Sequence, residues 1–262
     1  MADYHFHVQR VKRSAGKSVV AAAAYRAGEK LKDDYYGLIH DYSKKEVVKS
    51  GIFLPGHAPP RLQDRETLWN EVEKVEKHPA AQLAYSFDFS LQNEFTMEEN
   101  IELAERFIKE QFVDRGMICD YAIHNPHRDG DVPNPHVHVL CPIRPLNKNG
   151  EWGNKRRRPY ALDEDGNRIR DANGDYIFTG EYITDWDSPE TLEKWRQAWA
   201  EYNTGWASSV VSQRYLNMMS ARFVSISVSS FISLLHSSLR FITCHLSFLD
   251  SVLTISILSF KY

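Results

Sequence analysis

Tyr4, Phe6 and Val8 alternate with His5, His7 and Gln9, so residues 3–11 read as a half-buried strand with its apolar set on one face. The polar loop Lys12-Arg13-Ser14-Ala15-Gly16-Lys17 comes next, and Ser18 is placed to cap a helix. That helix is the run VVAAAAYRAGEKL, whose four consecutive alanines let it lie close to a sheet. Residues 36–54 read as a hairpin, with Leu38-Ile39-His40 and Val47 to Leu54 on either side of Ser43-Lys44-Lys45. Pro55-Gly56 and Pro59-Pro60 mark a loop. A helix over 62–77 presents Leu62, Leu68, Trp69, Val72 and Val75, and a strand covers 82–91. A second amphipathic helix over 96–115 carries Ile101, Leu103, Ala104, Phe107, Ile108 and Phe112. Strands over 117–124 and 136–143 flank a polar loop, and a last helix over 189–203 carries Leu192, Trp195 and Trp199. This order predicts an α+β fold, a largely antiparallel central sheet flanked by helices in a two-layer sandwich.

The pattern changes at Gly205. From there the chain has no proline, one acidic residue, Asp250, and many serines among Ile, Leu, Val and Phe. We therefore divide it into a domain over 1–204 and an atypical, weakly ordered tail over 205–262. The uncharged stretch 223–239 is broken by serines and His236, and a span needs about 20 mostly apolar residues, so no membrane insertion is expected. The length of 262 residues accommodates one domain of about 200 residues plus an extension. Cys119, Cys141 and Cys244 form no close-spaced thiol motif and the N-terminus has no apolar signal core, which points to the cytoplasm.

The net charge of -3 argues against a protein that coats DNA broadly, but the charges are unevenly placed. Residues 1–32 hold seven Lys/Arg, among them Lys12, Arg13, Lys17 and Arg26, against Asp3 and Glu29. A second group, Arg144, Lys148, Lys155, Arg156, Arg157 and Arg158, faces only Glu151. Two basic patches of this kind suit a phosphate backbone held in one groove, although two solvated loops would look the same from charge alone. The Asp/Gly/Asn-rich segment 151–188 contains two turn-like runs, 163–167 and 171–175, that lack the ligand spacing of a calcium loop.

The densest chemistry lies in His124-Asn-Pro-His127-Arg-Asp-Gly-Asp-Val-Pro-Asn-Pro-His136-Val-His138. His136 and His138 share a strand face, and a turn around Gly130 and Pro133 can bring His124 beside them. Three neutral imidazoles make a site for a divalent ion with positions left open for substrate oxygens. Tyr25 lies after a helix start flanked by Lys12, Arg13 and Lys17, a natural phosphate perch; taken alone, one of thirteen tyrosines is more often a core aromatic.

Six segments in order, RVKRSAGKSVVAAAAYRAGEKL, DYSKKEVVKSGIFLP, ETLWNEVEKVEK, AQLAYSFDFSL, RFIKEQFVDRGMICDYAIHNPH and NPHVHVLCPIRPL, with KWRQAWAEYN after them, resemble the MobA/MobL family of plasmid mobilisation relaxases. The resemblance implies a histidine-hydrophobic-histidine nickase in which Tyr25 attacks a phosphodiester at a plasmid transfer origin, giving a 5′-phosphotyrosine link. It implies that His124, His136 and His138 hold a divalent metal, Mg²⁺ or Mn²⁺, with His127 a neighbour. Arg26 and the basic patches would track the single-stranded DNA, and accessory mobilisation and coupling proteins would be partners. Some relatives carry an acidic residue where this chain has Ser86, and Asp88, two residues on, shares that strand face. Relatives also continue past the KWR helix with an Asp-His-Arg-Ser motif that the tail here replaces. A rolling-circle replication initiator uses the same chemistry, although Tyr25 preceding the histidines favours the relaxase order. The sequence is also compatible with a non-catalytic DNA-binding remnant or a membrane-anchored protein.

Overall fold

The computed structural model describes residues 5–128 and 132–223. Its centre is a five-stranded sheet in the order β1-β5-β9-β6-β4, with every neighbouring pair antiparallel. These strands are β1 (Phe6–Lys12), β4 (Lys49–Phe53), β5 (Gln82–Ser90), β6 (Cys119–His124) and β9 (His136–Pro142). Between them come α1 (Val19–Ala27), the hairpin β2 (Lys30–Asp33) and β3 (Leu38–Asp41), α2 (Arg65–Val75) and α3 (Met97–Gln111). The short hairpin β7 (His127–Arg128) and β8 (Val132–Pro133) joins β6 to β9. A long excursion carries the pair β10 (Arg156–Arg157) and β11 (Glu181–Tyr182) and leads into α4 (Pro189–Phe223).

Local chemistry explains the boundaries. The Ser18 side chain accepts a bond from the Ala21 N–H at 3.0 Å and starts α1, as its sequence position predicts. Thr96 and Glu99 form a reciprocal capping box at the head of α3. Helix α1 stops at Ala27, short of the expected Leu31, because Gly28 turns left-handed with φ of 66°. A Cβ there would meet the Lys45 carbonyl at 2.9 Å and Val47 at 2.8 Å, so glycine also admits the 45–47 segment.

The strands expected to pair over 36–54 do not pair with each other. Leu38–Asp41 turns back onto Lys30–Asp33, while Lys49–Phe53 becomes an edge strand against Cys119–His124. Apolar alternation identifies a strand but not its partner, which the sheet selects.

The expected antiparallel sheet flanked by helices forms, with helices on both of its faces. On one face Phe6, Phe87 and Phe89 meet Phe107 of α3 and Trp195 and Trp199 of α4, with ring centroids 4.6–6.2 Å apart in the pairs Phe6–Phe107, Phe87–Trp195 and Phe89–Trp199. On the other, Val19, Val20, Ala23 and Ala24 of α1 and Leu68, Trp69 and Val72 of α2 share a core with Ala84 and Leu140. Each fully buried large side chain contributes about 1.5–3 kcal/mol. An ion pair adds to this on the second face. Asp120 on β6 accepts from Arg65 of α2 at 2.9–3.0 Å and from Trp69 Nε1 at 2.7 Å.

The chain divides into two units, Met1–Thr204 and Gly205–Tyr262. Helix α4 does not end near residue 203 but runs to Phe223. The rest of the sequence-defined tail, 224–262, lies outside the described residues, as do Gly130 and the uncharged stretch beyond residue 223. Among the described residues no helix is long and apolar enough to cross a membrane.

Candidate active site

Register assembles the histidines. His124, at the end of β6, lies opposite His136, at the start of β9, while His138 lies opposite both Ala122 and Asp88. All three imidazoles therefore emerge from one face and one end of the sheet. Their ring centroids are 4.8–5.5 Å apart, and one ring nitrogen of each lies within 4.8 Å of the others.

Each ring is oriented by a second bond. His136 Nδ1 contacts the Asn134 carbonyl at 2.7 Å, and His138 Nδ1 contacts the Asp88 carboxylate. His124 Nε2 contacts the Arg26 carbonyl at 2.7 Å. A carbonyl or carboxylate oxygen accepts, so these ring nitrogens carry the protons and the opposite nitrogen of each neutral imidazole keeps its lone pair. Burial pushes the His124 imidazole down to about 4 and lowers His136 as well. Neutral rings with free lone pairs are what a divalent ion requires, so the donor set fits one. Burial would raise the Asp88 carboxyl, but the hydrogen bond from His138 and the nearby charge of Arg26 hold it below the usual carboxylate range. His127 is exposed at the start of β7 and is not in the histidine group.

Helix α1 delivers Tyr25 to the same place. The bond from His124 to the Arg26 carbonyl ties the last turn of α1 to the end of β6. Tyr25 is 51% exposed, against near-complete burial of Ala23 and Ala24 beside it, so it is not a core aromatic. It shares a cavity of about 680 Å³ with Lys45, Asn125, His124, His136 and His138. On its other side a cavity of about 330 Å³ is lined by Gln9, Arg10, Lys17, Ser18 and Arg26. The Tyr42 ring meets Tyr25 edge-on with centroids 5.3 Å apart, and the Lys45 ammonium sits 3.6 Å from the Tyr25 ring centroid. Neither Lys45 nor Tyr42 stands out along the sequence, because both fall in what reads as an ordinary hairpin turn.

The Arg26 guanidinium is turned onto the sheet. It donates to Ser86 Oγ at 2.9 Å and to the Ala22 carbonyl at 3.1 Å, and its buried Nε has no partner among the described residues. Burial lowers its pKa. Ser86 thus faces Arg26, and Asp88 faces His138, on one side of β5.

The basic residues separate into two kinds. Arg13 is not on the groove: it is buried and binds Glu73 at 2.5 Å and the Glu76 and His78 carbonyls at 2.6 and 2.8 Å. Arg144 and Lys155 are likewise drawn inward to Glu76, at 3.0 and 2.8 Å. These three cations balance buried carboxylates, and Arg144 and Lys155 tie the end of α2 to the segment after β9. Charge counting along the sequence does not reveal that structural task. Lys12 and Lys17 are exposed. So are Arg156, Arg157 and Arg158, where Arg156 covers the Tyr182 ring, Arg157 pairs with Glu181 at 2.7 Å and Arg158 lies 5.2 Å from the Phe178 ring. The runs 163–167 and 171–175 are tight turns, in which Asp163 and Asp171 accept backbone N–H bonds from two and four residues ahead.

Several known proteins resemble the chain. The probable mobilization protein MobA of Bifidobacterium longum is 36% identical over 172 residues, covering 64% of this chain and 30% of the relative. The conjugal transfer protein TraA of Agrobacterium fabrum is 33% identical over 189 residues, covering 68% of this chain and 16% of the relative. The mobilization protein MobL of Acidithiobacillus ferridurans is 35% identical over 157 residues, covering 58% of this chain and 41% of the relative. The chain therefore spans less than half the length of these relatives. A solved structure described as Molecular Basis of Vancomycin Resistance Transfer in Staphylococcus aureus superposes with a TM-score of 0.66 at 33% identity, covering 79% of this chain and 94% of that one. Residues 17–209, which hold α1, the whole histidine site and the two buried tryptophans of α4, match the model of the MobA/MobL family, and the chain belongs to that family.

Proposed function

We propose that the chain is a plasmid mobilisation relaxase that nicks one DNA strand at a transfer origin. The observation that carries this reading is the exposed, hydroxyl-bearing Tyr25 in one cavity with three convergent histidines. In the proposed reaction the Tyr25 oxygen attacks the scissile phosphorus, the new bond is a 5′-phosphotyrosine, and the broken P–O bond leaves a 3′-hydroxyl that takes up a proton. The phosphoester is exchanged rather than hydrolysed, so the strand can be rejoined.

A tyrosine hydroxyl with an ordinary pKa of about 10 is a weak nucleophile at neutral pH and needs help. His124, His136 and His138 would hold a divalent cation, Mg²⁺ or Mn²⁺, which supplies charge stabilisation on the non-bridging phosphate oxygens. The protein's own contribution is placement. The bond from His124 to the Arg26 carbonyl holds the helix turn carrying Tyr25 beside the histidines, which favours an attack geometry set before substrate arrives. Asp88 keeps His138 in the tautomer whose Nε2 lone pair is free. Lys12, Lys17, Arg156 and Arg158 are exposed toward phosphates, Arg157 would have to exchange Glu181 for one, and the aromatic side chains of the 156–183 excursion offer stacking surfaces for single-stranded bases. Accessory mobilisation and coupling proteins are the partners this role requires.

The test is a covalent one. A labelled single-stranded oligonucleotide spanning the transfer origin of the encoding element is incubated with the chain and Mn²⁺, and the denatured mixture is resolved for a protein–DNA adduct. We expect an adduct on Tyr25 by mass spectrometry, its loss in Tyr25→Phe, and oligonucleotide binding within a few-fold of wild type in that variant, since only the hydroxyl is removed. An adduct on Tyr35, Tyr36 or Tyr42 would overturn the assignment. Binding without any adduct would favour a DNA-binding remnant.

A further inference from the structure

We infer that Lys45 is a positioning residue for the nucleophile: its ammonium, lying on the face of the Tyr25 ring and bonded to the Tyr25 carbonyl, holds the phenol in its attacking orientation. The inference rests on the relaxase reading of Tyr25.

Three contacts converge here. Lys45 Nζ is 3.6 Å from the Tyr25 ring centroid, inside the range in which the ring quadrupole attracts a cation. The same Nζ donates to the Tyr25 backbone carbonyl at 2.9 Å, so one side chain grips both ends of the tyrosine. The Tyr42 ring closes the arrangement edge-on at 5.3 Å. An exposed tyrosine near the end of a helix would otherwise sample several side-chain rotamers, and cleavage requires the one aimed across the cavity.

Lys45 is itself held in place by the fold. The Lys45 N–H donates to the Tyr42 carbonyl at 2.9 Å, and the Tyr42 N–H donates to the Glu29 carbonyl at 3.1 Å. The left-handed Gly28, where any Cβ would strike the Lys45 carbonyl, lets the strap 42–47 close down on the end of α1. Burial and the charge of Arg26 push the Lys45 ammonium down to about 8, consistent with a cation drawn partly out of water toward a ring. No carboxylate pairs with Lys45 among the ion pairs of the described residues, whereas Lys49 pairs with Glu105. Its charge is thus left to the tyrosine and to whatever enters the cavity.

The experiment compares wild type, Lys45→Met and Lys45→Arg in single-turnover cleavage of the same labelled oligonucleotide with Mn²⁺, alongside its Kd. Methionine keeps an unbranched stem of similar size and removes the charge. Lys45→Met is expected to slow cleavage at saturating oligonucleotide about tenfold, the scale of a partly desolvated cation–π contact, with Kd nearly unchanged. Lys45→Arg is expected to recover most of the rate. In parallel, the Lys45 ε-methylene NMR signals should lie upfield from the ring current of Tyr25 and return to ordinary positions in Tyr25→Leu, a readout that needs neither DNA nor metal. Equal rates for wild type and Lys45→Met would overturn the inference. So would weaker binding at an unchanged saturated rate, which would make Lys45 a phosphate contact instead. A wild-type chain that forms no adduct at all removes the relaxase reading and this inference with it, an outcome distinct from either.

Discussion

At the scale of single residues, the histidine site illustrates how identity and orientation separate. His136 and His138 are ligand-competent because a carbonyl and a carboxylate, respectively, occupy their Nδ1 positions, leaving Nε2 free. His127, of the same type and nearer in sequence to His124, stands apart because the short hairpin carries it away. Chelator treatment should abolish nicking, and Mg²⁺ or Mn²⁺ should restore it. The double variant His136→Ala/His138→Ala should lose metal binding, measured by calorimetry, and cleavage together, while its circular dichroism spectrum stays that of the folded sheet. Unimpaired nicking by that variant in chelator would refute the three-histidine site.

At the scale of elements, the site depends on α1 and α2 staying clamped to the sheet. The clamp is electrostatic as well as apolar: Arg65 on α2 binds Asp120 on β6, which lies opposite Leu140 and precedes His124 on the same strand. Burial drives the Asp120 carboxyl up, while Arg65 and Trp69 oppose that shift and keep a charged carboxylate tenable inside. Arg65→Met should therefore destabilise the fold by about 3–5 kcal/mol, because it strands a buried acid without its partner. The double variant Arg65→Met/Asp120→Leu should recover much of that loss. Urea unfolding of the three proteins measures both, and a single variant as stable as wild type would show that the pair contributes nothing. The same reasoning removes Arg13, Arg144 and Lys155 from the proposed DNA-facing set. Their carboxylate partners are distant in sequence, 60 residues away for Arg13 and 68 for Arg144, so only folding reveals the pairing.

At the scale of the whole molecule, every side chain assigned to chemistry lies in the unit ending at Thr204. The two α4 tryptophans that pack on the sheet, Trp195 and Trp199, also precede that point. Downstream, the sequence mixes serine with β-branched and aromatic residues and carries little charge, a composition prone to association. A chain ending at Thr204 should be more soluble than the 262-residue chain and nick at least as fast per folded molecule. Comparing rates after active-site titration checks this. Loss of activity in the shorter chain alone would make residues 205–262 a working part of the enzyme.

The sequence by itself determined the elements and the chemistry they carry. Alternation marked β1, Ser18 marked the start of α1, and the i, i+2 spacing of His136 and His138 required a common face, because these are properties of a few consecutive residues. The nucleophilic role proposed for Tyr25 was legible only through resemblance, since one tyrosine among thirteen carries no local mark. Only the tertiary structure decided which strand β4 pairs with, that helices cover both faces, and that Arg13 is a buried counter-ion rather than a phosphate contact. It alone brought Lys45 onto Tyr25. The physical reason is common to all four: each depends on contacts between residues far apart in sequence, chosen by the packing of the sheet and by the burial of charge, and neither leaves a periodic signal in the chain.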